Sequence, residues 1–303
     1  MKRFLRTALQ VPETVLQIIW AYTTSIARKV VDLDILFLAS GVAFNIVLTL
    51  IPIMLLLASA LGIFLNSSAL GLQQLHDILN TIFPPQPFAT SIKTSIFNVL
   101  SSIIEHRKSL GLFGFLALIW TGLSLFDSIR SVLHRVYYLR RTKSLIASVM
   151  HEMGFLLLAF VLFIVSNVAI WVSSLVERVA FDVPGLRDLP LQGFGKTIPS
   201  VIVMVITTIM FYIVYRYMTD SKPPKAAAMI STVTTTVLWI GSGKVFSVYL
   251  TTFPSIATVY GPYTFLLVLL VWIYYSSLIF VFGGIVGQVY WERLRAREHR
   301  AAD

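Results

Sequence analysis

The sequence contains no cysteine, and charge is scarce: 13% of its 303 residues are Asp, Glu, Lys or Arg, against roughly 25% in an ordinary soluble domain. The first absence excludes disulfides, thiol nucleophiles and cysteine-ligated metals, and leaves the compartment open. The second, set beside 57% hydrophobic residues in long uninterrupted runs, excludes an ordinary soluble fold. Catalytic apparatus is missing as well. The histidines (His76, His106, His134, His151, His299) are scattered, with no HExxH, no paired carboxylates beside them and no GxxxxGK[ST] phosphate loop. No catalytic residue, no cofactor site and no metal site is therefore expected, and the chain reads as a non-enzyme. A cleaved signal peptide is missing too. Lys2, Arg3 and Arg6 are not followed closely by an apolar core and a small-residue cleavage site, so the first long apolar run, from Ile35, reads as a retained anchor.

What is present is six apolar segments that approach or exceed the ~20 helical residues needed to cross ~30 Å of hydrocarbon, the second at the short end. They run Ile35–Phe64, Leu110–Phe126, Val149–Val176, Ile198–Tyr215, Ala226–Leu250 and Tyr263–Tyr290, the last two forming a hairpin around Thr251–Pro262. The alternation of a spanning barrel is missing, so the expected fold class is all-α: a polytopic membrane protein of six transmembrane helices. Seventeen basic residues fall on the side of the termini and six on the other, which places both termini in the cytoplasm. The net charge of +10 follows from such loops and from attraction to anionic headgroups. Membrane lipids are thus the expected partners, and nucleic acid is not.

Three further stretches are amphipathic. Val15, Ile18, Ile19, Tyr22, Ile26 and Val30 recur at helical spacing in a cytoplasmic arm over 1–34. An outer hairpin over 66–108 breaks at Pro84–Pro87, inside a transmembrane domain of 35–291 that a basic tail, 292–303, follows. After the second span, Leu125, Ile129, Val132, Leu133 and Val136 continue a helix into a basic stretch. Packing or interfacial anchoring outweighs any specific role for all three.

No Asp or Glu lies deep in a span, and His151 and Glu152 sit at the inner end of the third. Buried carboxylates are the usual proton or sodium sites, so this pattern counts against an ion-driven carrier. Lys244 is the one intramembrane cation. A snorkelling lysine and a cation facing an internal cavity have equal claims on it. Asn45 lies near Pro52, which frees a backbone carbonyl in the first helix. The run Ser231, Thr232, Thr234, Thr235, Thr236 and the glycines Gly283, Gly284 and Gly287 suit helix packing better than ligand binding.

Several stretches in order resemble the BrkB/YihY family of bacterial inner-membrane proteins. They are Ala43-Phe44-Asn45 leading through Thr49 to Pro52, then Trp120-Thr121 and the stretch Arg130–Tyr138. The C-terminal block follows, with Phe246, Tyr249, Val259-Tyr260-Gly261-Pro262-Tyr263, Trp272 and Gly283-Gly284. The resemblance covers roughly residues 30 to 292. It implies six spans and an envelope role, with lipid or solute movement as proposals. Where the family often has Gly-Ala-Glu, this chain has Ile285 at the glutamate's position, so a mechanism relying on that carboxylate does not transfer. Nor do these residues support the ribonuclease label some members have carried.

The expectation is a bacterial inner-membrane protein for transport or lipid handling. Asn45, Pro52, Lys244, Tyr249, Tyr260, Gly261 and Tyr263 are the candidate substrate path. The alternative is a non-transporting scaffold that recruits an envelope protein through the outer hairpin.

Overall fold

A computed structural model of the chain describes residues 13–67, 102–139, 145–182, 194–252 and 264–302. Seven long helices stand among them: α1 (Glu13–Asp32), α2 (Ile35–Ser67), α3 (Arg107–Val136), α4 (Leu145–Asp182), α5 (Phe194–Tyr217), α6 (Lys225–Thr252) and α7 (Thr264–Ala302). Each of α2 to α7 carries a stretch long and apolar enough to cross a membrane. Large side chains such as Phe163, Trp171 and Val233 remain exposed along them. Water would penalise so much apolar surface. Lipid does not, and a helix satisfies its own backbone there. The chain is an all-α polytopic membrane protein. The expected outer hairpin falls largely on 68–101, outside the described residues.

Two compact units divide the chain, Phe44–Leu125 and Met1–Ala43 with Phe126–Asp303, so the boundaries fall within α2 and α3. In the smaller unit α2 runs unbroken through Pro52, whose ring removes the helical donor to the Leu48 carbonyl. Small residues set the approach of α2 to α3. Ser59 Oγ donates to the Arg107 carbonyl at 2.7 Å, and a Cβ added to Gly111 would meet Ser59 Oγ at 2.7 Å.

In the larger unit α7 lies along α6, α6 along α5 and α5 along α4, while α1 docks on the end of α7. The turns of α1 that pack are those of Tyr22, Ile26, Lys29 and Val30, while Trp20, Arg28 and Val31 are exposed. Lys29 pairs with Glu292 at 2.7 Å. The Arg293 guanidinium lies 3.8 Å from the Tyr22 ring centre and donates to Ser25 Oγ at 3.1 Å. Residues 292–302 continue α7 as helix.

One expectation is corrected. Helix α3 continues past the second span to Val136, as its amphipathic spacing predicts, but Arg130, counted among the exposed basic residues of the connection that follows, is 1% exposed within it. A guanidinium flanked by apolar positions looks like a loop cation in sequence, but here two carboxylates from elsewhere neutralise it. The orientation asymmetry survives its removal from the count.

Candidate functional site

The chemistry of the larger unit gathers at the end where α3 and α5 finish and α4 and α6 begin. Here α6 and α7 approach through hydroxyls and glycines. A Cβ on Gly283 would fall 1.9 Å from Thr235 Oγ1, and one on Gly287 1.9 Å from Ser231 Oγ and 2.6 Å from the Ala227 carbonyl. These hydroxyls also hold two buried tyrosines. Tyr215 donates to the Phe280 carbonyl at 2.5 Å and lies 2.6 Å from Thr235 Oγ1, its ring stacked on Phe280. Tyr137 and Ser231 share a 2.7 Å hydrogen bond. Tyr137 lies one residue beyond the spanning part of α3. Burial pushes its phenol well above the ordinary range, against the smaller opposing effect of Ser231, so it stays neutral. The hydroxyl run and the glycines thus pack helix on helix.

Beside this seam lies a buried ionic cluster. Arg130 on α3 forks to Glu152 on α4 (Nη1 to Oε1, 3.1 Å) and to Asp220 in the turn after α5 (Nη2 to Oδ1, 2.6 Å). The side chains are 1%, 5% and 0% exposed, so these charges are dehydrated and depend on one another. His134 lies one turn along α3, 5% exposed. Its Nδ1 is 2.9 Å from the Arg130 carbonyl, and its Nε2 accepts the Asp220 backbone N–H at 3.3 Å. Asp220 Oδ2 is 3.7 Å from the same Nε2.

Local backbone explains how α3 presents these groups. Helix α3 ends with Tyr138 at φ 54°. Leu139 N–H reaches the His134 carbonyl at 2.9 Å, and Tyr138 N–H reaches that of Arg135 at 3.4 Å. This is the paired C-terminal closure that glycine usually serves. A tyrosine there costs about 1–2 kcal/mol, and Lys29 covers its ring at 4.5 Å. Across the turn, Thr219 Oγ1 donates to the Ser221 carbonyl at 3.0 Å, and Arg216 Nη1 donates to that of Pro223.

Toward the other end of α6 and α7 the packing opens into an apolar groove of about 510 Å³. Ser242, Val245 and Phe246 line one side and Leu267, Val268, Val271, Trp272 and Tyr275 the other. Trp272 forms contacts with both Trp239 and Phe246, at ring-centre distances of 6.1 and 4.9 Å. Val245 and Tyr275, 70% and 55% exposed, mark an open rim.

The ionic cluster as described includes none of the residues expected to form a path. Asn45 and Pro52 belong to the smaller unit, where Ser124 Oγ donates to Asn45 Oδ1 at 2.7 Å and Pro52 is buried. Lys244 is exposed on α6. It sits two residues from Ser242, about 200° round the helix, and does not line the groove. Tyr249 is on α6, and Tyr260, Gly261 and Tyr263 lie outside the described residues. Sequence reading missed Asp220 altogether and placed Glu152 only at a helix end. The available signal was charge spacing: one arginine under two turns before a helix ends, and single acids where the neighbouring spans begin and end.

The comparisons agree with this architecture. The family model described as Virulence factor BrkB matches residues 26–303. A UPF0761 membrane protein of Psychromonas ingrahamii is 26% identical over 261 residues, 86% of this chain and 84% of its own length. One of Actinobacillus pleuropneumoniae is 24% identical over 199 residues, 66% of this chain and 70% of its own length. One of Yersinia pestis is 23% identical over 206 residues, 68% and 67% of the two lengths. No solved structure matches. With the match running from the middle of α1 past the end of α7, the chain belongs to the Virulence factor BrkB family of membrane proteins.

Proposed function

We propose that this is a lipid-handling protein of the bacterial inner membrane, with both termini cytoplasmic, that receives a phospholipid acyl chain in the groove between α6 and α7. The observation that carries the reading is the groove itself: about 510 Å³, almost wholly apolar and open at its rim along two membrane-spanning helices. A volume of this size suits a small-molecule ligand, typically about 300–1,000 Å³. Its surroundings in the bilayer are hydrocarbon, so the ligand class is a lipid tail. No hydrophobic effect drives a tail from lipid into such a groove, since both are equally apolar. Only packing against Trp272, Phe246 and the valines favours it, through contacts of about 0.1–0.2 kcal/mol per atom pair. Weak holding suits passage better than storage. In this reading Lys244 contacts the headgroup from outside the groove, with Tyr249, Tyr260, Gly261 and Tyr263 continuing the headgroup path.

Reconstituted vesicles carrying fluorescent phospholipids test this against empty vesicles, with small-solute release followed in parallel. Filling the groove with Val268→Trp or Ser242→Phe should reduce lipid movement at least tenfold in protein that elutes and melts like the parent. Lys244→Ala should weaken dependence on the headgroup while leaving tail dependence intact. Lipid movement that survives a filled groove would sink the reading, as would folded parent protein that moves no lipid.

A further inference from the structure

The ionic cluster belongs to none of that, and its hydrogen bonds carry a separate conclusion. The Arg130 carbonyl can only accept, so the His134 Nδ1 beside it at 2.9 Å carries a hydrogen. The Asp220 backbone N–H can only donate, so the His134 Nε2 it meets at 3.3 Å offers a lone pair. One state satisfies both contacts: the neutral ring protonated on Nδ1. Yet the same Nε2 has a second neighbour, Asp220 Oδ2, at 3.7 Å. A proton arriving on Nε2 ends its bond with the backbone N–H and creates a charge-assisted donor facing that carboxylate.

Arg130, on the same helix, offers one positive charge to two carboxylates, Glu152 of α4 and Asp220 of the α5–α6 turn. Helix α7 meets this stretch of α3 with apolar contacts, Gly284 against Leu133 and Val136. Asp220 keeps its other oxygen on Arg130 at 2.6 Å. The ring therefore exchanges partners on one residue, between that residue's backbone and its side chain.

We propose that His134 is a proton-binding site, and that its occupancy decides how the turn from 218 to 224 is held against the end of α3. Loss of the Asp220 N–H bond and closure of the ring on Oδ2 move the turn's backbone relative to its side chain. Protonation is thereby transmitted to the junction of α5 and α6.

The absence of cysteine makes the test direct. Ser221→Cys places one environment-sensitive fluorophore on an exposed position of the turn, read in liposomes. The labelled protein should show one reversible single-proton step between pH 5 and 8, where histidine is the side chain that ordinarily titrates. His134→Gln can still accept the Asp220 N–H but takes up no proton, so the step should vanish. Asp220→Asn keeps the backbone donor but removes the anionic partner, so the step should move to lower pH. If the glutamine variant fails to fold, the shift in Asp220→Asn decides alone. A flat trace from the labelled parent overturns the proposal. So does a step that persists with His134→Gln, or one that Asp220→Asn leaves in place.

Discussion

Substituting Gly287 by Ala probes how closely α6 and α7 pack. The new Cβ would lie 2.6 Å from the Ala227 carbonyl oxygen, where ordinary contact begins near 3.4 Å, so the two backbones must part by about 0.8 Å. A gap of that order forfeits roughly a quarter to a half of the dispersion between facing atoms, and overpacking of this kind costs about 1–3 kcal/mol. Ser231 Oγ, 1.9 Å from the added atom, must also turn away and leave Tyr137. A buried phenol without its partner costs about 1–3 kcal/mol more. Alanine recovers at most about 1 kcal/mol through helix propensity. The net expectation is a loss of about 1–6 kcal/mol. Gly154→Ala supplies the control, because nothing lies within 4 Å of its added Cβ. The assay is unfolding in mixed detergent micelles titrated with SDS, followed by tryptophan fluorescence. Gly283→Ala should lose stability too, but its nearest obstacle is the Thr235 hydroxyl, so adding Thr235→Ala should restore part of it. Ser231→Ala should rescue Gly287→Ala poorly, since a backbone carbonyl remains in the way. If Gly287→Ala unfolds at the same SDS fraction as Gly154→Ala, the close-packing argument is refuted.

Arg130→Met should destabilise the protein by about 3–5 kcal/mol, because it removes the cation shared by two buried carboxylates. Combining it with Glu152→Gln and Asp220→Asn should recover much of that in the same SDS titration, and no recovery would count against the ion-pair account. For orientation, single cysteines at Ser221 and Tyr138 should resist an impermeant maleimide in intact cells and react after permeabilisation. Labelling from outside would reverse the proposed topology.

The bilayer explains why the fold was legible and the cluster was not. A spanning helix must be apolar over its whole length, so Ile35–Phe64 is readable from composition with the ends the structure gives. Amphipathic spacing likewise exposed α1 and the continuation of α3, whose Val132, Leu133 and Val136 are buried. Polar packing was legible in kind: the hydroxyl run on α6 and the glycines on α7 were recognisable as small-residue surfaces. Their register, Ser231 to Gly287 and Thr235 to Gly283, was not, because many pairings of two such surfaces look alike in sequence. Arg130 misled for a different reason. Its charge is cancelled by residues 22 and 90 positions away, and no local pattern records a partner at that distance. Asp220 sits among Thr219, Ser221, Lys222 and two prolines, the composition of any exposed turn, yet its carboxylate is fully buried.

On the lipid-handling proposal, the two kinds of packing along α6 and α7 separate stability from passage. Near their junction with α3 and α5, hydrogen bonds and glycine contacts fix how the helices pair, and Arg130 ties in α4. Two residues in the left-handed region, Asp34 and Tyr138, occur beside this end, and such strain persists only where surrounding contacts over-determine it. Toward the groove, contact passes to aromatic and aliphatic side chains, whose looser packing leaves room for a guest. A lipid path needs one region that yields and another that does not. Substitutions at Ser231, Thr235 and Gly287 should therefore act mainly on unfolding, and those at Ser242 and Val268 mainly on lipid movement. A groove variant that lost stability as severely as Gly287→Ala would show the two regions to be one.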